Sequence, residues 1–409
     1  MTGPNQIAPF PFPGSSEWDE GGTKVTLEGP PREAARTSKS STVRPKDDVP
    51  ATKKLSNVQA LRGLAALGVV LFHIATVESR LPGTPTTLAH LFGNGWAGVD
   101  LFFVLSGFVM VTVTRGKFGS SGNSRKFLYD RMFRIFPLYW CISLVILGMF
   151  LVKPTLFHSI GHPSLLRSFL LVPQFNQAPL LGQGWTLIFE MYFYYIFAAL
   201  IPLAESFLSY GLISWLILII AVNLSLHGQS HSALASLVGN SLSVEFIIGC
   251  FVAKLIYSGV TRYAGSITIV SAGLIVAISL AIGAHLDDHV SSWLRLLLFG
   301  VPFGFLTYGL VALEIRDRLL VPSLLSKIGD ISYSLYLVHM LPIGLIAQLS
   351  HRLPRGLSGL SAPAMLSAAL LAGYVCYRGL EQPFMRVAKC QKRKLFQEST
   401  SRAPRLKAA

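Results

Sequence analysis

The sequence predicts an all-α fold, a polytopic integral membrane bundle of about ten transmembrane helices with both termini on the cytoplasmic face. Hydrophobic residues make up 51% of the 409-residue chain and charged residues 13%, against roughly 25% charged in soluble domains. The mean hydropathy is +0.52. Apolar runs recur along the chain, each matching the roughly 17–25 residues that a helix needs to cross the hydrocarbon core. They are too long and continuous for the short alternating strands of a barrel. Lysine and arginine supply the orientation. Segments 36–57, 115–134, 204–206, 254–263, 314–330 and 378–409 hold 26 of them, and segments 78–95, 153–184, 227–232, 285–292 and 350–361 hold 5. The basic excess marks the cytoplasmic side.

Residues 1–54 are rich in Pro, Gly, Ser, Thr and charge and lack an apolar run. They read as a disordered basic tail that cannot bury enough surface to fold alone. No charged-then-apolar leader with a cleavage site opens the chain, so the first span is expected to direct insertion and remain. That span, 58–77, is "VQALRGLAALGVVLFHIATV" and carries Arg62 and His73. The second, 96–114, has Asp100 near its start. The third, 135–152, is entered through "YDRMFRIFPLYW", which sets Arg131 and Arg134 at its cytoplasmic lip and Tyr139 inside it. The fourth, 185–203, begins "WTLIFEMYFYY" and contains Trp185 and Glu190. Spans 207–226, 233–257, 264–284 and 293–313 carry the chain on; the ninth, 331–349, holds Tyr336 and His339, and the tenth is 362–380. Residues 389–409 form a basic C-terminal tail.

The net charge of +15 is accounted for by topology and by attraction to anionic headgroups rather than by nucleic-acid binding. Cys141, Cys250, Cys376 and Cys390 show no paired spacing, so neither a disulfide framework nor a metal site is expected.

Ionisable groups inside spans are costly and face a bundle interior or a wet cavity. Arg62 and His73 are eleven positions apart, which returns them to within about 20° of one helix face and separates them by about 16 Å along the axis. With a cytoplasmic amino end, Arg62 lies near the inner interface and His73 in the outer half, level with Asp100 and Glu190. Guanidinium groups therefore gather at one end, where Arg62, Arg131 and Arg134 suit polyphosphate recognition. An imidazole beside carboxylates at the other end suits proton abstraction from a hydroxyl. A donor with a phosphate-rich head and a long thin arm bearing a reactive group, which describes acyl-coenzyme A, could thread between them. Structural readings stand beside these: Arg62 as a snorkelling anchor, His73 as a helix-to-helix hydrogen-bonding residue, and Asp100 as a helix-start acid complementing the dipole.

At these residues the sequence resembles the integral-membrane acyltransferase type 3 family. The resemblance rests on "LRGLAALGVVLFH", "GVDLFFVLSGF", "RMFRIFPLYW", "ISYSLYLVH" and "LEQPF", in order over residues 55–388, which would form the membrane acyltransferase domain. "GWTLIFEMYFY" resembles the exopolysaccharide O-acetyltransferase branch of the succinoglycan type; Met191 and Tyr192 stand where another branch has Glu and Gln, and Asp130 stands before Arg131 where a second basic residue is common. The resemblance implies transfer of an acyl group, acetyl in the simplest case, from cytoplasmic acetyl-CoA to a sugar hydroxyl, without a metal. The acceptor would be a surface glycan or lipid-linked oligosaccharide, and the protein would lie in the bacterial inner membrane. No extracytoplasmic esterase-like domain is expected after the last helix.

On this reading His73 is general base or transient acyl carrier, and Glu190 or Asp100 orients its ring. Arg62, Arg131 and Arg134 hold the donor phosphates. His339 either donates to the thioester oxygen or ties two helices together. Trp185, Tyr139 and Tyr336 are candidate sugar-stacking residues. The competing readings are interfacial belt positions for Trp96, Trp185 and Trp293 and plain packing for the tyrosines. A small-molecule acceptor and a transporter of a lipid-linked glycan are the alternative functions.

Overall fold

A computed structural model describes residues 55–81, 91–153, 163–174, 177–225, 232–282, 292–319, 321–350 and 359–401. The expected tail at 1–54 and residues 402–409 of the tail expected at 389–409 lie outside the described residues, within which the protein is all-helical. In chain order the helices are α1 (Ser56–Glu78), α2 (Gly98–Thr114), α3 (Ser121–Val152), α4 (Leu165–Phe169), α5 (Gly184–Leu200) and α6 (Leu208–Ser225). They continue with α7 (Ala233–Val238), α8 (Leu242–Tyr257), α9 (Ala264–Ile282), α10 (Ser292–Arg295) and α11 (Val301–Ile315). The last five are α12 (Ser323–Asp330), α13 (Ser332–Val338), α14 (Met340–Ser350), α15 (Ser361–Cys376) and α16 (Gln382–Ser401).

Among the described residues, seven helical runs are long and apolar enough to cross a membrane, and a bent pair would make an eighth. The remaining expected spans are present in altered form. The fourth is α5, only 17 residues long. The ninth is the bent pair itself: α13 and α14 meet at 45°, with His339 at the joint. Pro342 explains the bend, because its ring denies a hydrogen bond to the carbonyl four residues back, Val338, where α13 ends. The same chemistry recurs twice. A π-turn at Leu296–Gly300 precedes Pro302, and another at Tyr377–Glu381 precedes Pro383; each widens the helix around the carbonyl that the proline leaves unbonded. The tenth span is thus α15 followed by a π-turn, and α16 runs unbroken across residues 388–389, where the basic tail was expected to begin.

Backbone-to-backbone packing fixes the centre. A Cβ on Gly107 of α2 would collide with the Phe246 carbonyl of α8, and one on Gly249 of α8 would collide with the Val104 carbonyl of α2. Without a hydrophobic force between helices in lipid, such close approach is what holds them. Phe103, Phe193, Trp215 and Phe246 then mesh at centroid distances of 4.7–6.0 Å, edge-to-face except for the tilted Phe193–Phe246 pair. The start of α1 is pinned by α11: the backbone amides of Ser56 and Asn57 donate to the Glu314 carboxylate at 2.6 and 2.8 Å. An acid at a helix amino end satisfies orphan donors and the dipole together. This anchor sets the height of Arg62 and His73. On the periphery, α9 buries only Ala264 and Ser271, and its otherwise apolar surface suits lipid rather than water.

Candidate active site

Two helices, α1 and α3, bring three guanidinium groups to one inner cavity of about 80 Å³. Arg62 of α1 donates from Nη2 to Ser332 Oγ at 3.1 Å. Arg134 of α3 lies 3.9 Å from the Glu381 carboxylate, which also accepts from Ser334 Oγ at 2.6 Å. Arg131, one turn earlier, stacks over the rings of Phe127 and Tyr194 at 5.6 and 5.8 Å. The Nε atoms of Arg62 and Arg131 are buried with no hydrogen-bond partner among the described residues. Buried donors left unpaired are expensive, so these two are poised to receive an acceptor group from a ligand. Glu190 faces the same cavity and accepts a short hydrogen bond from the Tyr194 hydroxyl.

A second, outer cavity of about 330 Å³ is lined by His73, Trp96, Trp185, Arg295 and Tyr336. Val99 and Tyr336 line both cavities, and the Tyr336 hydroxyl is bonded to Thr186 Oγ1 at 2.9 Å. The stripe on α1 therefore reaches both chambers, with Arg62 in one and His73 in the other. The His73 ring lies 5.1 Å from that of His339. His339 is fully buried; its Nδ1 sits 2.8 Å from the Tyr336 carbonyl and its Nε2 has no hydrogen-bond partner among the described residues. A carbonyl only accepts, so Nδ1 carries a hydrogen.

Several expected residues sit elsewhere than the sequence placed them. Asp100 is bound through both oxygens by Arg295, Nε and Nη2 each at 2.6 Å. The Arg295 guanidinium in turn lies 4.3 Å over the Trp96 ring. Neither Asp100 nor Glu190 makes a hydrogen bond to His73 among the described residues: the first is consumed by Arg295, and the second belongs to the inner cavity. His339, rather than a carboxylate, is the neighbouring titratable group at His73. Tyr139 is fully buried and donates to the Ser168 carbonyl at 2.7 Å, bracing α3 against α4 and standing outside both cavities. Trp96, read as a belt residue, lines the outer cavity together with Trp185.

Sequence reasoning missed Arg295 and Glu381. The rule that flagged Arg62, that an ionisable residue inside a span is functional or paired, would have found the first in the expected span 293–313.

Helices of this length and apolarity, with an arginine-lined cavity and a histidine-lined cavity between them, define a multi-pass membrane protein. The comparison with known families gives that class its chemistry. The family described as an acyltransferase domain matches residues 55–378; the chain belongs to this family and is an acyltransferase. It is similar to "Exopolysaccharide production protein ExoZ" of Rhizobium meliloti (strain 1021), 29% identical over 328 residues that cover 74% of this chain and 93% of that protein. It is also similar to "Acyltransferase MdmB" of Streptomyces mycarofaciens, 26% identical over 376 residues covering 83% of this chain and 93% of that one. No solved structure matches it significantly.

Proposed function

We propose that the protein is a bacterial inner-membrane O-acetyltransferase, crossing the bilayer ten times with both termini cytoplasmic. It moves acetyl from cytoplasmic acetyl-CoA to a sugar hydroxyl of an exopolysaccharide or its lipid-linked precursor. One observation carries this reading: the unpaired Arg62 and Arg131 donors open into one chamber and His73 into another, and Tyr336 borders both. Phosphates held at the arginines leave the pantetheine arm to run along α1 toward the imidazole, about 16 Å further on for eleven helical residues. The glycan acceptor rests on the similarity to ExoZ, which is named for exopolysaccharide production. Trp96 and Trp185 in the outer cavity would supply apolar faces for a sugar ring.

In this scheme His73 takes the hydroxyl proton as the sugar oxygen attacks the thioester carbonyl. The new C–O bond forms, the C–S bond breaks, and the proton passes to the departing thiolate, giving the ester and free coenzyme A. Histidine is the side chain most often used for such a proton transfer. His339, 5.1 Å from His73 between ring centroids, is placed to hold the orientation that a carboxylate holds in a hydrolase triad.

Membranes carrying the protein, incubated with labelled acetyl-CoA and glycan, should yield labelled polysaccharide. His73→Ala should keep normal membrane levels and lose at least ~100-fold in rate, the contribution typical of a general base. Full activity of that variant would end the base assignment. Label on a small diffusible molecule instead of glycan would move the acceptor and leave the chemistry intact.

A further inference from the structure

A third cavity, of about 290 Å³, opens beside the inner one where α2, α3 and α16 converge. This is far above the roughly 10–15 Å³ that admits a single water. Lys117, Lys126, Arg131 and Lys392 line it, with Asp130 as the one acid. Arg131 is common to this vestibule and to the inner cavity. Its buried Nε has no hydrogen-bond partner among the described residues.

The fourth cation comes from far along the chain. Lys392 is delivered by α16 and held by Asp130 at 2.5 Å. Two further contacts seat α16 on α3: the Tyr129 hydroxyl donates to the Ala388 carbonyl at 3.2 Å, and the Phe396 ring lies against Tyr129 at 5.8 Å. Lys126 sits 5.8 Å over the other side of that contact, on Phe396. Asp130, at the place where a second basic residue was expected, thus recruits a cation instead of supplying one.

Four cations against one acid, graded from lysines nearer the surface to the half-buried Arg131 with its buried Nε, form an anion site with two depths. We infer that this vestibule binds the adenosine 3′,5′-bisphosphate end of coenzyme A, with the 3′-phosphate among Lys117, Lys126 and Lys392 and the pyrophosphate at Arg131. The inference rests on the acyl-CoA reading above and deepens it. The pantetheine arm leaves the pyrophosphate, so it enters the inner cavity past Arg131. Lysine serves here as a point charge, whereas the planar guanidinium reads phosphate through paired donors. The site also selects the donor class, because an acyl chain carried on phosphopantetheine alone has no 3′-phosphate to offer the lysines.

The test uses the full chain in phosphatidylcholine nanodiscs and measures binding of adenosine 3′,5′-bisphosphate by calorimetry. The Lys117→Gln/Lys126→Gln pair and Lys392→Gln should each weaken binding about tenfold or more, the loss expected from one charge-assisted hydrogen bond. Lys117 is exposed and Lys126 and Lys392 are half-buried, and in Lys392→Gln the Tyr129 contacts to Ala388 and Phe396 still seat α16. Acetyl transfer from acetyl-CoA should show a raised KM in the same variants, while transfer from S-acetylpantetheine, which lacks the nucleotide, should be unchanged. Binding that is undiminished in the variants overturns the inference, as does equal affinity for adenosine 5′-monophosphate. Loss of nucleotide binding when the discs contain phosphatidylglycerol would identify the cavity as a lipid-headgroup site and also overturn it. Lysine-dependent binding without any acetyl transfer would sink the enzymatic reading alone; normal transfer with lysine-independent binding would sink only the vestibule.

Discussion

Asp100 shows how a single residue can be conspicuous in sequence and still be misread. It was singled out as a carboxylate level with His73, yet both oxygens are bound by Arg295, 195 positions away. Asp100 is fully buried and the Arg295 side chain is 21% exposed, so removing one charge strands the other. Asp100→Asn should therefore destabilise the protein by about 3–5 kcal/mol, visible as a lower unfolding temperature in detergent. The Asp100→Asn/Arg295→Gln double variant should recover most of that loss; a double variant as unstable as the sum of the singles would show that the pair is not coupled. The Arg62 and His73 stripe was legible because helix periodicity converts spacing directly into a shared face. Pairings such as Asp100 with Arg295, or Arg134 with Glu381, were not, because they are set by which helices become neighbours. Local sequence carries no record of that.

At the scale of elements, the apolar runs located the helices well, and proline chemistry decided their irregularities. Pro302, Pro342 and Pro383 were all visible in the sequence, and each lies just past a π-turn or a bend. What was not visible was which irregularity each would produce. Pro342 breaks its helix at His339, whereas the other two only widen theirs. Glycine is equally position-dependent. A Cβ at Gly107 meets the facing backbone of α8, while one at Gly148 meets nothing within 4 Å. Gly107→Ala should force α2 and α8 apart at a cost of roughly 1–3 kcal/mol or more. Gly148→Ala should be neutral or stabilising by up to about 1 kcal/mol. Comparing unfolding midpoints of the two variants checks this; similar values would mean that the α2–α8 contact is not what holds the centre.

For the whole molecule, the distribution of lysine and arginine speaks to the number of crossings. Seven crossings alone would leave the termini on opposite faces; eight or ten return the chain to the side it started from. Counting the bent α13–α14 pair, α5 and α15 as crossings therefore agrees with the basic excess at both chain ends, 6 residues in segment 36–57 and 9 in segment 378–409. Fluorescent-protein fusions at either end should light up in bacterial cells, and alkaline phosphatase at either end should stay inactive; an active phosphatase at the C-terminus would require an odd number of crossings. The Thr186–Tyr336 hydrogen bond carries a last implication at this scale. A membrane enzyme that takes its donor from one compartment and serves an acceptor in the other must still insulate the two. Here the two cavities meet at Val99 and Tyr336, so on the proposed reading the wall between the donor and acceptor sides is a single layer of side chains.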